Sequence, residues 1–543
     1  MSVTGDNVFY FLRLIILKKG ERCMRKLYTV FIVAQFVLAG MAFIPPSGEA
    51  AKIKPTGTIK FILMSVRTPE AMEADNAVLQ ASGKMFESTI VPFRPTTNMD
   101  NYKAAKAAAN ACVTADTQGE TSAKGAYAPP GYVGPDIEGV TGTEAGGWRP
   151  PDTHGAVGLN HFVEVTNSHY DVYRKSDGVR VKSVSLASFF GYTTKAIFDP
   201  RCVYDSAEGR WIVTADAFEE SATVQRQFIA VSKTADPTGA FYVYNADVNF
   251  KDNDNFWDYP QIGVDKKSIL ITANIFGGIN ESTWEGADLG VVSKSSLYNG
   301  KTTTGKLFTK LDGTLAPPIV LDKSSKSCLV VADAFGNTSH IILYTLTYPK
   351  GVPSLTKSFI TVPAFDLPPD VSQPGTSAKL DPLDARFVNA STQNGNSLWQ
   401  IHTIKINNKP TPKWYEFNIS TKKVLQSGNF SASSTSNDWN ASIAANKGGD
   451  AFVTWSSTDV TENTNAQVRF SGRRSTDTKG IIGGGTALFT SSTYYDPSSD
   501  STERWGDYSA VTIDPSNTSR AWIVNEKINS TSVWGSRITC IGY

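Results

Sequence analysis

The chain has 543 residues, a formal net charge of +1, and only 19% charged against 11% aromatic side chains. Its basic residues are scattered, which excludes the dense positive surface that nucleic-acid binding requires. Many glycines, prolines and small polar residues, together with the aromatic content, favour an all-β protein with many turns.

Residues 1–50 are predicted to be a leader, in which the signal peptide proper begins at Met24. Arg25 and Lys26 precede an apolar run over residues 27–44, and the small residues around Ala50 suit cleavage there. An uncleaved anchor is the alternative, because about 18 apolar residues can just cross a bilayer. We therefore expect an exported protein that is periplasmic, extracellular or on the cell surface, with no membrane span after leader removal.

Four cysteines follow the leader, namely Cys112, Cys202, Cys328 and Cys540. Export permits disulfides among them in more than one connectivity. The alternative is that Cys202 and Cys328 are small buried side chains within strands.

Residues 51–127 are predicted to form an N-terminal α/β extension with one strand and two short helices. The strand is "TIKFILMSV" at 58–66, and the helices are at 68–82 and 98–113. Asn98 or Asp100 is a suitable cap for the second helix. Residues 114–131 are typical of a linker.

Residues 128–543 contain one pattern seven times. A leading segment that starts with an acidic residue or proline enters a short strand, and a strongly apolar second strand follows. The second strands lie at 161–167, 211–218, 269–276, 328–335, 398–403, 451–457 and 521–527. Units of this kind bury their two apolar faces only by stacking, so the pattern predicts an all-β fold, a β-propeller of seven blades with three to four antiparallel strands each. Two sandwich domains are the alternative.

The last unit is one strand short, so we expect a strand from before residue 150, such as 58–66, to complete it and close the ring.

In a propeller, the start of strand one and the end of strand two lie on the same face, so the polar residues there are expected to converge. In the leading segments these are Asp152, Asp199, Asp258, Asp384, Asp438 and Asp507, and at the second-strand ends Asn167, Asp216, Asn274, Asp333, Asn525 and Glu526. Clustered carboxylates repel unless a cation or basic groups compensate them. Oxygen ligands suit Ca²⁺, the one cofactor we consider, with Asp152, Asp199, Asp258 and Asp507 as candidate ligands. For any single Asp, the alternative is a turn cap.

The first leading segment, "GGWRPPDTHGAVG" at 146–158, has additional chemistry. Trp148 and Arg149 are candidates to stack on and grip a sugar or carboxylate, or to pack against the next blade. His154 is a candidate catalytic group, with a structural histidine as the alternative.

Several stretches resemble a group of exported bacterial β-propeller proteins described as sialidase-like or BNR-like. They include "PPDTHGAVGLNHFVEVTN", "FDPRCVYDSAEGRWIV", "DYPQIGVD" and "RWGDYSAVTIDP", and the resemblance spans about residues 146–543. It implies the propeller fold. A sialidase would also need three arginines and a tyrosine nucleophile, for which Arg149, Arg386, Arg504 and Tyr259 or Tyr508 are the candidates.

The resulting hypothesis is an exported, monomeric propeller that binds a glycan, protein or polymer on an acidic, aromatic-rimmed face. Its candidate ligand-binding residues are Trp148, Arg149, Asn167, Asp216, Asn274, Arg504 and Glu526. One alternative is a glycoside hydrolase-like enzyme or lyase with catalytic candidates Asp152, His154, Asp258 and Asp507. A structural cell-surface scaffold is the other.

Overall fold

The computed structural model describes residues 52–83, 90–91, 93–111, 127–253, 255–278 and 283–543. The predicted leader and most of the predicted linker lie outside these residues. The described residues all belong to one compact unit, 51–543.

Seven blades, numbered 1–7 in chain order, account for most of the described chain. From the inner to the outer strand, blade 1 is His154–Val157, His161–Thr166, His169–Arg174 and Arg180–Ser185; blade 2 is Ile197–Asp205, Arg210–Ala217, Arg226–Ser232 and Phe241–Asp247; blade 3 is Phe256–Val264, Ser268–Phe276, Trp284–Ser293 and Thr303–Leu311; and blade 4 is Pro318–Val320, Ser327–Ala332, His340–Thr347 and Ser354–Thr361. Blade 5 is Ser391–Asn394, Ser397–Ile406, Lys409–Asn418 and Lys423–Asn429; blade 6 is Asn437–Ala445, Ala451–Asp459, Thr464–Arg473 and Thr486–Thr490; and blade 7 is Ala510–Ile513, Arg520–Ser530, Val533–Gly542 and Gly131–Thr141. Among the described residues of blade 4, the inner strand is joined to the second strand only by the Ala316–Val330 bridge, and it pairs in parallel with the inner strands of blades 3 and 5.

The inner strands of the seven blades form a closed ring. Each contacts the inner strand of the next blade, and that of blade 7 contacts that of blade 1. The predicted all-β propeller of seven blades is therefore confirmed, and two separate sandwiches are not what the chain forms.

Each blade is buried on both faces, which explains why its second strand is apolar throughout. In blade 3, Ile269 and Ile271 join an apolar cluster with Ile229 of blade 2. The intervening Leu270 joins a different cluster with Leu329 of blade 4. Successive side chains of a strand point to opposite faces, so both sets must be apolar.

An early strand does complete blade 7, but it is not the one suggested by the sequence. Gly131–Thr141 pairs with Val533–Gly542 and supplies the fourth strand. The strand Gly57–Arg67, which contains "TIKFILMSV", instead pairs with the outer strands of both blade 2 and blade 3. Ile59 and Phe61 are fully buried in the cluster between these two blades, and this packing fixes the position of the strand.

The remaining elements lie outside the blades. Helix α1 is Pro69–Ser82, and helix α2 is Met99–Asn110 with Asn98 as its cap. Short helices occur at Leu186–Phe190 and Lys294–Tyr298, with a 3-10 turn at Pro349–Gly351. Lys52–Ile53 adds to the outer edge of blade 4, and Lys379–Leu380 pairs with Thr502–Glu503. None of the helices within the described part of the chain has the length and apolar character that a bilayer crossing requires.

Three cysteines, Cys202, Cys328 and Cys540, are buried and unpaired. Cys202 and Cys328 lie within strands, as small core side chains. Cys112 lies outside the described residues.

Candidate functional site

The leading segments of several blades share one backbone geometry. Asp199, Tyr259 and Asn440 have φ values of 52°, 57° and 49°, and the strand register shifts beside each of them. Asp152 of blade 1 also has a φ of 52°. A bulge of this kind re-aims the neighbouring side chains, so it determines where the leading carboxylates point.

The leading carboxylates Asp152, Asp199, Asp258 and Asp507 lie within electrostatic range of one another. Asp152 Oδ1 accepts a hydrogen bond from the Asp507 backbone N–H at 2.8 Å. Asp199 Oδ2 accepts one from the backbone N–H of Tyr259 at 3.1 Å. The first bond joins blade 1 to blade 7 and the second joins blade 2 to blade 3. These carboxylates therefore fasten neighbouring blades together.

The amides at the second-strand ends do the same. Asn167 donates to Asp152 Oδ2 at 2.7 Å and accepts from the Asp199 backbone N–H at 2.8 Å, which links blades 1 and 2. Asn274 accepts from the backbone N–H of Thr314 at 2.7 Å, which links blades 3 and 4. These residues therefore cap turns, as the alternative for a single residue proposed, but the backbone N–H groups that they cap belong to the next blade.

Two further acids lie in the same buried region. Asp216 is near Asp199 and Asp258, and the Gln227 side chain lies close enough to lower its pKa, against the larger effect of burial. Glu526 Oε2 accepts from the Gly506 N–H at 2.6 Å. We call Asp152, Asp199, Asp216, Asp258, Asp507 and Glu526 the buried acid cluster.

Residues of the N-terminal extension cover this cluster. Arg94 Nη1 lies 3.3 Å from Asp258 Oδ2, and its backbone carbonyl accepts a hydrogen bond from Arg386 at 3.2 Å. Arg504 donates to the carbonyl of Val91 at 3.2 Å, and the Phe93 ring lies 5.0 Å from the Arg386 guanidinium. The mouth that the sequence predicted as an open acidic face is therefore occupied by the chain itself.

Burial dominates the electrostatics of the cluster. It raises the pKa values of Asp152 and Glu526, and, together with the charge of Asp152, that of Asp199. Burial also raises the pKa of Asp507 to about 7, although Arg504 opposes this shift. Taking a carboxylate out of water disfavours its charged form, so each of these carboxyls keeps its proton to a higher pH than an exposed one.

The other sequence candidates are also engaged in packing. Trp148 is 3% exposed and packs in an apolar cluster with Phe198 and Phe256. Arg149 lies 4.0 Å from Glu503. His154 lies in the inner strand of blade 1, and its Nδ1 accepts a hydrogen bond from the Cys202 backbone N–H at 3.2 Å.

Two leading carboxylates lie apart from the cluster contacts. Asp384 forms a two-point ion pair with Arg386. Asp438 accepts from the Trp455 indole at 2.8 Å. Asn525 and Glu526 lie inside the strand Arg520–Ser530 and not at its end, contrary to the expectation, because the strand continues for four more residues. Asn525 accepts a hydrogen bond from Ser456 of blade 6 at 3.3 Å.

An open groove lies on the same face, between the rims of blades 3 and 4. It has a volume of about 510 Å³, and its lining includes Trp284, Asp312, Asp333 and Phe335, with Asn98 from the cap of α2. The residues are half-buried apart from Asn98, which is exposed. We call this site the blade 3–4 groove.

The two carboxylates of the groove have different surroundings. Asp312 is paired with Lys357 Nζ at 2.6 Å and accepts a hydrogen bond from the Tyr344 hydroxyl. Asp333 has no basic partner this close; burial and the charge of Asp312 raise its pKa. One ion-paired acid thus stands beside one acid whose proton is held more tightly.

The sequence pointed to only one of these residues. Asp333 follows the second strand of blade 4, where polar residues were expected. Asp312 follows the fourth strand of blade 3, which runs in the same direction as a second strand and so ends on the same face. Its Asp-Gly pair was the available signal, but the recurring pattern covered only the first two strands of each unit.

Comparison with known proteins found no matching family model and no matching curated protein. Solved structures with related folds include a subtype N10 neuraminidase-like protein of A/little yellow-shouldered bat/Guatemala/060/2010, with 11% identity, a TM-score of 0.35, and coverage of 64% of this chain and 97% of that one. The Trypanosoma rangeli sialidase in complex with sialic acid has 13% identity, a TM-score of 0.33, and coverage of 69% and 57%. The WD40 domain of SCAP from fission yeast has 9% identity, a TM-score of 0.32, and coverage of 73% and 88%. Likeness at this level carries no argument about substrate or reaction.

Proposed function

We propose that this chain is an exported β-propeller that binds a neutral glycan in the blade 3–4 groove. The observation that carries the proposal is the arrangement of two aromatic rings, Trp284 and Phe335, beside two carboxylates, Asp312 and Asp333, in an open cleft. Sugar rings offer C–H faces that pack on aromatic rings and hydroxyls that donate to carboxylates. Export rests on the predicted leader, which lies outside the described residues.

A neutral sugar fits this groove better than an anionic one. Lys357 already pairs with Asp312, and Asp333 would repel a ligand carboxylate. The arginines that a sialidase-like site would use are already ion-paired, Arg386 with Asp384 and Arg504 with Asp507. Arg504 and Arg386 also bond to the covering residues, so they do not face an open cleft.

A glycan array tests the proposal. We expect the wild-type protein to bind neutral oligosaccharides, and both Phe335→Ala and Asp333→Asn to weaken this binding about fivefold, since each removes an interaction of about 1 kcal/mol. Tyr132→Ala is the matched control, because Tyr132 is 53% exposed and lies on blade 7, away from the groove. Equal binding by all four proteins, or binding to sialylated glycans alone, would contradict the proposal.

A glycoside hydrolase is the second candidate, because the groove sets a carboxyl group of raised pKa beside an ion-paired one. In such enzymes the first serves as a general acid and the second acts as an ionised carboxylate. Hydrolysis of chromogenic glycosides that is lost in Asp333→Asn and retained in Tyr132→Ala would favour an enzyme over a binding protein.

Calcium remains a prediction. Within the described ranges, no group of three or more acidic, histidine or cysteine side chains is arranged to hold a metal ion. If an ion stabilises the fold, a chelator should lower the melting midpoint and added Ca²⁺ should restore it. An identical midpoint with and without chelator would contradict the calcium prediction.

A further inference from the structure

The centre of the ring contains a second cavity, distinct from the blade 3–4 groove. It is a channel of about 120 Å³ lined by residues of the inner strands. It reaches the opposite face of the propeller, where the turns after the inner strands begin, at Ser206, Leu321 and Pro515. The buried acid cluster lies beyond its inner end.

The walls of the channel are more apolar than polar. Val203 and Val264 of blades 2 and 3, and Ala444 and Val511 of blades 6 and 7, are among the aliphatic residues that line it. All four are less than a tenth exposed, so the channel is narrow as well as apolar. A cavity with such walls favours a hydrocarbon body over a hydrated one.

The inner end of the channel is closed by a polar layer whose members are mostly satisfied. Arg201 donates to the carbonyls of Pro260 and Val388, and at 2.8 Å to Asn389 Oδ1. Asn389 donates to Ser442, which bonds Ser509 at 2.7 Å. The hydrogen bonds therefore run across blades 2, 3, 5, 6 and 7.

One acceptor in this layer has no donor. Gln261 is 1% exposed and lines the channel, and its Nε2 donates to the Phe387 carbonyl at 2.9 Å. Among the described channel-lining residues, its Oε1 is the buried side-chain oxygen without a hydrogen-bond partner. An unsatisfied buried acceptor costs about 1–3 kcal/mol, which a donor on a bound molecule would recover.

Among the described residues at the inner end, the charge of Arg201 is already shared with the buried acid cluster, since it acts on the Asp216 carboxyl and lowers the pKa of that group. Each Arg201 nitrogen donates one hydrogen bond, and the guanidinium lies 3.3 Å above the Tyr508 ring. Burial lowers the pKa of His154 well below its usual value, so its imidazole is neutral. A charged ligand would lose its hydration without gaining a counter-charge.

We propose that the central channel binds a small neutral molecule with an apolar body and one hydroxyl that donates to Gln261 Oε1. An aromatic or short aliphatic alcohol has this chemistry. The volume is close to the roughly 150 Å³ apolar cavity that takes up benzene, so a single ring or its aliphatic equivalent fits. This site is independent of the proposed glycan groove, which lies on the other face.

Isothermal titration of the full chain with benzyl alcohol tests the proposal, with benzoate and benzylammonium as ligands that share the ring but carry a charge. We expect saturable binding of the alcohol and none of either ion. Gln261→Leu should weaken alcohol binding about tenfold, the equivalent of one net hydrogen bond.

Two tryptophan substitutions distinguish binding in the channel from binding elsewhere on the surface. Val320→Trp places a large side chain in the channel and should abolish alcohol binding, whereas Val352→Trp, at a position that is 50% exposed and does not line the channel, should not. Comparable melting midpoints of both variants confirm folding. No saturable binding of benzyl alcohol, equal binding of benzoate, or full binding by Val320→Trp would overturn the proposal.

Discussion

Arg386→Met is expected to lower the free energy of unfolding by about 3–5 kcal/mol, because it leaves a buried carboxylate without its partner. Arg386 is 3% exposed and holds both oxygens of Asp384 at 2.8 Å. It also donates to the carbonyl of Arg94, so the substitution loosens the covering residues. Urea unfolding monitored by tryptophan fluorescence measures the change.

Two controls define the cause of this loss. Removing both partners in Arg386→Met/Asp384→Leu should restore part of the stability, since no unpaired charge remains. Arg174→Met breaks the exposed pair with Asp177 and should leave the urea midpoint almost unchanged. A loss below about 1 kcal/mol for Arg386→Met would show that the pair is solvated and contradict the buried arrangement.

Stability is expected to fall as the pH rises from about 4 to 7 through the contribution of Asp507. Burial raises its pKa from 3.8 to about 7. Between these values the folded state holds a proton that the unfolded state has lost, so unfolding becomes easier with each increase in pH. The raised pKa values of Asp152, Asp199 and Glu526 act in the same direction.

Asp507→Asn tests this pH dependence, because it removes the titration and keeps an oxygen that can accept from Arg504. The variant should show a flatter fall in unfolding free energy from pH 4 to 7 than the wild type. Asp177→Asn, at an exposed position, should follow the wild-type curve. Parallel curves for the wild type and Asp507→Asn would contradict a raised pKa at this carboxyl.

The ring could be predicted from sequence because its cause is local and repeated. Each unit has a strand such as Ser268–Phe276, apolar on both faces, and such a strand must be covered on both sides. The leading carboxylates could likewise be placed on one face from strand direction alone.

Whether that face is open or covered could not be predicted. Phe93 and Arg94, which cover the carboxylates, belong to the extension, and no repeated pattern in the extension indicates their position. The same limit applies to Gly57–Arg67, since its apolar alternation fits any exposed sheet edge. Which edge it joins depends on the gap between blades 2 and 3, a property of the assembled ring.

The pairing of Gly131–Thr141 with Val533–Gly542 also sets the order in which this chain can mature. During synthesis the earlier strand is made long before its partner, and it remains an unpaired edge until almost the whole propeller has emerged. Unpaired edges recruit other strands, so this is the interval in which the nascent chain is most exposed to misassembly. A chain that ends within blade 7 would therefore consist of six blades with two unpaired edges. These edges can pair with other copies of the chain because they cannot close the ring.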